Sequence, residues 1–274
     1  MNILQRGLLL YLVSKFNMSG RTVLLLLLGG YALCLLLGYL LGSLNSAVVV
    51  SRLFFRDDVR RHGSGNAGLT NMFRVYGKAG ALPTLIGDVL KTVLSVLIGA
   101  ALMGFGYVGG FALGGDHGLC FGVYLAAVGC VLGHILPLYY GFQGGKGVLC
   151  AFTATAMLCP WISLILLAIF IVIVLLTKYI SLGSMIAAGL FPVFLNPVFG
   201  LCVHSVVESG GERVEGPTAA PIYLLLYAFF VAVIVILCHR ANLKRLWNNR
   251  ESKFSFRRGG SASEEKREDG SENG

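Results

Sequence analysis

The stretch Arg61-His62-Gly63-Ser64-Gly65-Asn66-Ala67-Gly68-Leu69-Thr70-Asn71-Met72-Phe73-Arg74 concentrates phosphate-binding chemistry in one short segment. Three glycines, Gly63, Gly65 and Gly68, let the backbone take positive φ and turn successive N–H groups into one concavity. Ser64, Asn66, Thr70 and Asn71 add hydrogen-bonding side chains, and Arg74 adds a planar guanidinium. Such a cluster suits a phosphate. A second glycine-rich turn, Gly141-Phe142-Gln143-Gly144-Gly145-Lys146-Gly147, opens an apolar segment. A helix starting there would favour an anion through its free N–H groups and dipole. It is not a Walker motif, because the preceding strand and the Gly-Lys-Ser/Thr order are missing. Two further polar junctions follow. One holds Ser181 and Ser184; the other holds His239 and Asn242, which share a helical face, with Glu251 beyond them.

The elements that must position these residues are apolar. The chain has 274 residues, of which 56% are hydrophobic and 13% charged, and a mean hydropathy of +0.77. That composition excludes a soluble globule and predicts an all-α polytopic membrane protein. Spans are expected at 22–50, 80–103, 119–137, 182–206 and 218–238. The continuous apolar run 148–177 would rise about 45 Å as one helix, against a hydrocarbon core of about 30 Å. Cys159-Pro160-Trp161 lies near its middle, so a hairpin of two short spans is expected, with one tilted helix as the alternative. The hairpin gives seven spans and returns Lys178 to the side of Lys146.

Residues 1–21 read as a short amphipathic lead without a small-residue cleavage site, and 22–254 as the transmembrane domain. The acidic segment 207–217 reads as flexible, and the polar tail 255–274 as disordered. Segments 51–79, 138–147, 178–184 and 239–258 carry fifteen Lys and Arg, whereas 104–118 and 207–217 carry only Arg213. The first set is therefore expected in the cytoplasm, with the C-terminus inside and the N-terminus outside. Arg6, Lys15 and Arg21 in the lead offend that rule. The formal charge of +9 reflects these loops and their anionic lipid and substrate partners, not nucleic-acid affinity. All the polar motifs fall on the cytoplasmic side, which predicts a site at the inner membrane surface.

Other polar residues admit two readings each. Ser43, Asn45 and Ser46 suit helix packing or a site. Asp88 and Lys91, three apart within a span, can pair for structure or support the adjoining site. His134, before Pro137, suits helix capping or packing as well as a supporting role. The seven cysteines lack a Cys-x-x-Cys pair and read as small membrane-buried side chains. No histidine–acid pair accompanies Ser64, so a covalent serine nucleophile is not expected. No metal-ligand cluster or cofactor motif is evident.

Gly63-Ser64-Gly65-Asn66-x-Gly68-x-Thr70-Asn71-x-x-Arg74, then Gly133-His134-x-x-Pro137 with Gly144-Gly145-Lys146-Gly147, then Ser181-x-x-Ser184, then His239-Arg240-x-Asn242 and Glu251, occur in that order. In this the chain resembles the PlsY family of bacterial glycerol-3-phosphate acyltransferases, over about residues 22–254. The resemblance implies seven spans in the bacterial cytoplasmic membrane. It also implies transfer of an acyl group from acyl phosphate to the 1-hydroxyl of glycerol-3-phosphate, giving lysophosphatidic acid and phosphate for phospholipid synthesis. On the same ground Ser64, Asn66, Thr70 and Asn71, with Gly63, Gly65 and loop N–H groups, would hold the donor phosphate. Arg74, Lys146, Ser184, His239 and Asn242, with Gly144 and Gly145, would bind glycerol-3-phosphate, and Glu251 would order the last motif. Leu149-Cys150 stands where the family often has a small Ala-Thr pair, and the tail and segment 207–217 are longer than usual.

The chemistry fits these residue types. An acyl phosphate is already activated, so the enzyme must join two anions and steady a phosphate leaving group. His239, or a substrate phosphate, would take the hydroxyl proton. No cofactor is needed, and a monomer is the expected state. A carrier for a small phosphate ester is the alternative, since carriers also use broken helices, but their sites lie near the midplane between repeats. A structural scaffold would not explain repeated basic glycine-rich turns.

Overall fold

The computed structural model describes residues 7–16, 18–104, 107–108, 111–112, 121–202, 204–209, 212–217, 220 and 222–254. The expected disordered tail 255–274 and most of the loop 104–118 lie outside them. Helix α1 (Leu8–Phe16) belongs to the expected lead and packs Leu9 near Cys34 and Met103.

The first apolar segment divides into α2 (Gly20–Ser43) and α3 (Ser46–Phe55). The break has a polar cause. Asn45 caps α3 by accepting the Val48 N–H, and Ser43 Oγ donates to the Tyr39 carbonyl while accepting the Leu138 N–H. Helix α4 (Leu69–Met103) starts eleven residues before the expected span at 80, so Thr70, Asn71 and Arg74 sit on a helix instead of a loop. Gly77, at φ 63°, interrupts it, and Gly68 is its extended N-cap. Thus Gly63 and Gly65 take the expected positive φ and Gly68 does not.

Two short paired strands, β1 (Tyr107–Val108) and β2 (Phe111–Ala112), precede α5 (Phe121–Ile135). The apolar run then splits at Cys159 into α6 (Val148–Leu158) and α7 (Pro160–Thr177), with Pro160 at the helix start, where its missing N–H is harmless. The run's two ends meet. Lys146 donates to Asn242, Asn242 to Glu251, and Ser181 to the same Glu251 oxygen, each within 2.8 Å. A straight helix of this length would hold Lys146 and Ser181 more than 40 Å apart, at about 1.5 Å per residue, so the chain doubles back.

Helix α8 (Ile180–Cys202) contains Pro192 and Pro197. It ends before the expected limit of 206, and beyond it β3 (His204–Ser209) pairs with β4 (Glu212–Pro217). Backbone pairing there, from His204 opposite Pro217 to Ser209 opposite Glu212, replaces the expected flexible loop. Helix α9 (Ile222–Cys238) meets α10 (Arg240–Trp247) at a 57° bend.

Five stretches among the described residues are long and apolar enough to cross a bilayer, and the bent pair α9–α10 makes a sixth. The seventh expected span corresponds to α6. Its eleven residues rise about 16 Å, short of a full crossing. The main core joins α4 to α9, with Tyr124, Phe191 and Tyr227 among its buried side chains. Leu25, Leu36, Leu164 and Leu176 point outward, as lipid-facing positions should.

The approach of α2 to α5 uses small residues. A Cβ built on Gly38 or Gly42 of α2 would overlap the carbonyls of Ala126 or Cys130, and one on Gly129 or Gly133 of α5 the carbonyls of Leu35 or Tyr39. Two four-residue glycine repeats thus face each other. Where lipid tails are as apolar as leucine, such close backbone contact drives association.

Candidate active site

A cavity of about 680 Å³ is lined by residues from every motif in the sequence: Ser64, Thr70 and Arg74; Lys146; Ser181 and Ser184; His239, Asn242 and Glu251. Gly65, Asn66, Asn71, Asp88 and His134 complete its polar part. Its other wall is apolar, formed by Phe152, Leu166, Phe170, Phe191 and Val231.

The glycine loop is braced before it meets any ligand. Asn71 is buried, and its Nδ2 donates to the carbonyls of Val59 and His62 while its Oδ1 accepts the Ser64 N–H. Its amide is therefore committed inside the loop and shapes the concavity, although it lines the cavity. Asn45 Nδ2 donates to the Ala67 carbonyl from the α2–α3 break. Arg60 pairs with Asp58 at 2.7 Å and donates to the Tyr140 carbonyl at 2.8 Å, which ties this loop to the Gly-Lys turn. The neighbouring guanidinium of Arg60 holds the Asp58 carboxyl well below its usual range.

Gly63, Gly144 and Gly145 are not cavity walls. A Cβ on Gly144 would overlap the His134 carbonyl and reach Pro137 Cδ at 2.6 Å, and one on Gly145 would overlap the His134 ring. The Gly145 N–H donates to the His134 carbonyl. These glycines press the turn onto the end of α5, and Gly147, at φ 74°, swings the chain into α6.

Behind the cavity lies a charged cluster. Lys91 Nζ is 2.8 Å from Asp88 and 2.9 Å from His134 Nδ1, and it donates to the carbonyls of Gly42 and Leu44. Asp88, Lys91 and His134 are 1%, 5% and 4% exposed, so the pairing read from the sequence is present and fully buried. The sequence showed no metal-ligand group, yet Asp88, His134 and Cys150 bring ligand atoms within 4.8 Å of one another. The Lys91 ammonium already contacts Asp88 and His134, so the chain supplies its own cation there.

The C-terminal motif is organised by Glu251. Its carboxylate accepts from Asn242 (2.6 Å), Arg245 (2.7 Å) and Ser181 (2.8 Å). Burial raises the Glu251 carboxyl, but these three donors outweigh it and the net shift is downward. Asn242 in turn accepts from Lys146, and Ser252 accepts from Arg74. Ser184 faces the cavity, with its hydroxyl donating to the Ile180 carbonyl. His239 Nδ1 lies 2.8 Å from the Val235 carbonyl. It must carry the hydrogen, which leaves Nε2 as a lone-pair acceptor. Glu251→Gln is expected to lower kcat/KM about 10- to 100-fold, because charge-assisted hydrogen bonds that aim Asn242 and Lys146 weaken together. A steady-state assay checks this, with unchanged kinetics as the contrary outcome.

Sequence reasoning missed Arg245, Ser252 and Phe254. Phe254 donates its N–H to the Lys178 carbonyl and packs on Phe73. No periodicity marks these residues, because long-range folding of the segment after α10 brings them in. The facing glycine repeats were also missed, although the spacing Gly30, Cys34, Gly38, Gly42 was visible.

The glycerol-3-phosphate acyltransferase family model matches residues 32–249. A glycerol-3-phosphate acyltransferase of Clostridioides difficile is 37% identical over 227 residues, covering 82% of this chain and 95% of that protein. One from Thermoanaerobacter pseudethanolicus is 34% identical over 80% of this chain and 93% of its own length. The crystal structure of PlsY, an integral membrane glycerol 3-phosphate acyltransferase, in its glycerol 3-phosphate form aligns with a TM-score of 0.65 at 28% identity, covering 82% of this chain and 96% of that one. Its lysophosphatidic acid form aligns at 0.63 and 26%. With its motifs gathered on one cavity and the family model spanning most of its length, the chain belongs to the glycerol-3-phosphate acyltransferase family of integral membrane proteins.

Proposed function

We propose that the chain transfers an acyl group from acyl phosphate to the 1-hydroxyl of glycerol-3-phosphate, at the cytoplasmic face of a bacterial inner membrane. The observation that carries this is a single cavity joining phosphate-binding groups from four separate segments to an apolar wall between α6, α7, α8 and α9. One end suits two phosphates and the other an acyl chain. Ser64, Asn66, Thr70 and the loop N–H groups hold the donor phosphate. Arg74, Lys146, Ser184, His239 and Asn242 take glycerol-3-phosphate, and the two cations offset repulsion between the substrates' phosphates.

The acceptor hydroxyl oxygen attacks the acyl carbonyl carbon. A carbon–oxygen ester bond forms, the bond from the carbonyl carbon to the phosphate oxygen breaks, and inorganic phosphate leaves with that electron pair. The hydroxyl proton goes to His239 Nε2, the lone-pair nitrogen of its ring, or to a substrate phosphate. The topology that serves this has the short α6 and the longer α7 as a returning pair, with the N-terminus outside and the C-terminus inside. One chain supplies every named group, so the working unit is a monomer.

The test is release of inorganic phosphate by purified protein given palmitoyl phosphate and glycerol-3-phosphate. Wild type should release phosphate only with both substrates. Arg74→Ala should lose about 10²- to 10³-fold, the scale for one preorganised charge contact at a reacting group. No release by wild type, or transport of intact ester into vesicles, overturns the reading.

A further inference from the structure

His134 joins the buried charge cluster and also faces the cavity. Its Nδ1 lies 2.9 Å from Lys91 Nζ, a group that can only donate. Two donors do not face each other at that distance, and Asp88 Oδ1, the other polar neighbour of Nδ1, is at 3.5 Å, beyond a good hydrogen bond, so Nδ1 holds the lone pair and Nε2 carries the hydrogen. Lys91 is held in place by Asp88 at 2.8 Å and by the carbonyls of Gly42 and Leu44 at 3.2 and 3.1 Å, the latter two at the C-terminal end of α2. His134 and His239 are therefore set in opposite tautomers, with Nε2 a donor in one and an acceptor in the other.

The Nε2 edge of His134 points at a defined place. A Cβ on Gly145 would overlap Nε2 and would lie 2.7 Å from the Ala67 carbonyl. That is the seam between the glycine loop and the Gly-Lys turn. Among the described residues Nε2–H has no protein acceptor. His134 lines the cavity, so a ligand or water there can meet this donor.

We propose that His134 Nε2–H donates to the phosphate of the acyl donor, and that Lys91 and Asp88 are positioning residues that lock its tautomer. The proposal rests on the reading of the cavity given above. The donor phosphate, and not glycerol-3-phosphate, is the partner because Gly145, on which Nε2 packs, also lies against the Ala67 carbonyl of the glycine loop. Lys146 Nζ instead turns toward Asn242, on the side of the C-terminal motif. An uncharged donor here adds a directional contact without adding to a charge balance already met by Lys91 and Asp88. A membrane-buried ion pair with no direct ligand thereby acquires a task.

The experiment uses the full chain in lipid nanodiscs with ¹⁵N-labelled histidine, the His134 signals being identified by their loss in His134→Gln. The expected spectrum shows His134 with Nε2 protonated and Nδ1 bare. The Nε2 signal should shift when inorganic phosphate is added, and Lys91→Met should mix the two tautomers. In kinetics, His134→Leu should raise the KM for palmitoyl phosphate about 10- to 100-fold, the range for a lost hydrogen bond to a charged group, and leave the KM for glycerol-3-phosphate unchanged. His134→Gln, which keeps a donor at similar reach, should recover most of that loss. A bare Nε2, an Nε2 signal indifferent to phosphate, or a fall in kcat with the donor KM unchanged overturns the proposal. If His134→Leu does not fold, the wild-type spectrum decides alone. If wild type binds phosphate at His134 yet does not turn over palmitoyl phosphate, the reaction assignment fails while the donor role stands.

Discussion

Lys146→Met is expected to lower kcat/KM for glycerol-3-phosphate about 10²- to 10³-fold at pH 7, the range seen when one preorganised electrostatic contact is removed. The residue is held from both sides. Its ammonium donates to Asn242 Oδ1 at 2.6 Å, and the backbone beside it is pinned through Gly145 to the end of α5. Burial lowers its pKa to about 8; the nearby Glu251 carboxylate opposes that shift and Arg245 adds to it. Lys146 is charged below about pH 8 and loses its proton as the pH rises through that value, so kcat/KM in wild type should decline on the alkaline side. Lys146→Arg keeps its charge throughout and should lose that decline, while the bulkier fork lowers the plateau. A profile of kcat/KM from pH 6 to 10 for the three proteins checks both statements. An alkaline decline that persists in Lys146→Arg, or a loss under about tenfold in Lys146→Met, would assign the limb and the charge to other groups.

Gly42→Leu should be the most damaging change to the fold. The Gly42 Cα faces the Cys130 backbone so closely that a Cβ would overlap its carbonyl, and neighbouring Gly38, Gly129 and Gly133 meet backbone in the same way. Backbone on both sides cannot step aside as a flexible side chain can. Overpacking typically costs about 1–3 kcal/mol and occasionally more, and a leucine here should exceed that range because two helices must part. Separation would also strip Lys91 of its Gly42 carbonyl and unseat His134, so activity should fall with stability. Thermal unfolding in detergent is the measurement. A melting temperature within a few degrees of wild type would mean that the α2–α5 contact is looser than the structure has it. Gly29, with open space around its Cβ, is the internal control: Gly29→Leu should be tolerated.

Class and chemistry could be read from the residues because both depend on composition and local order. Twenty-residue apolar runs fix a membrane helix wherever they occur. The glycine-rich turns stand out as suited to an anion, since few residue types free backbone N–H groups in that way. The break at Cys159-Pro160 was legible for the same reason, as proline ends one hydrogen-bond ladder and suits the start of the next.

The tertiary structure decided what each polar side chain does once neighbours from distant segments are in place. Asn71 looked like a phosphate ligand, but its amide is committed to Val59, His62 and Ser64. Gly144 and Gly145 were expected beside glycerol-3-phosphate; both pack on His134, and the Gly145 N–H is taken by the His134 carbonyl. The tautomers of His134 and His239 are set by Lys91 and by the Val235 carbonyl, and spacing along the chain cannot say which nitrogen meets which partner. The acidic segment paired into a hairpin because its strands satisfy each other's backbone, a cooperative gain that its charged composition conceals. Composition thus settled the membrane as the solvent of these helices. The division of polar groups between holding the fold and facing the cavity came only with three-dimensional contact, because hydrogen bonds depend on distance and direction and not on sequence separation.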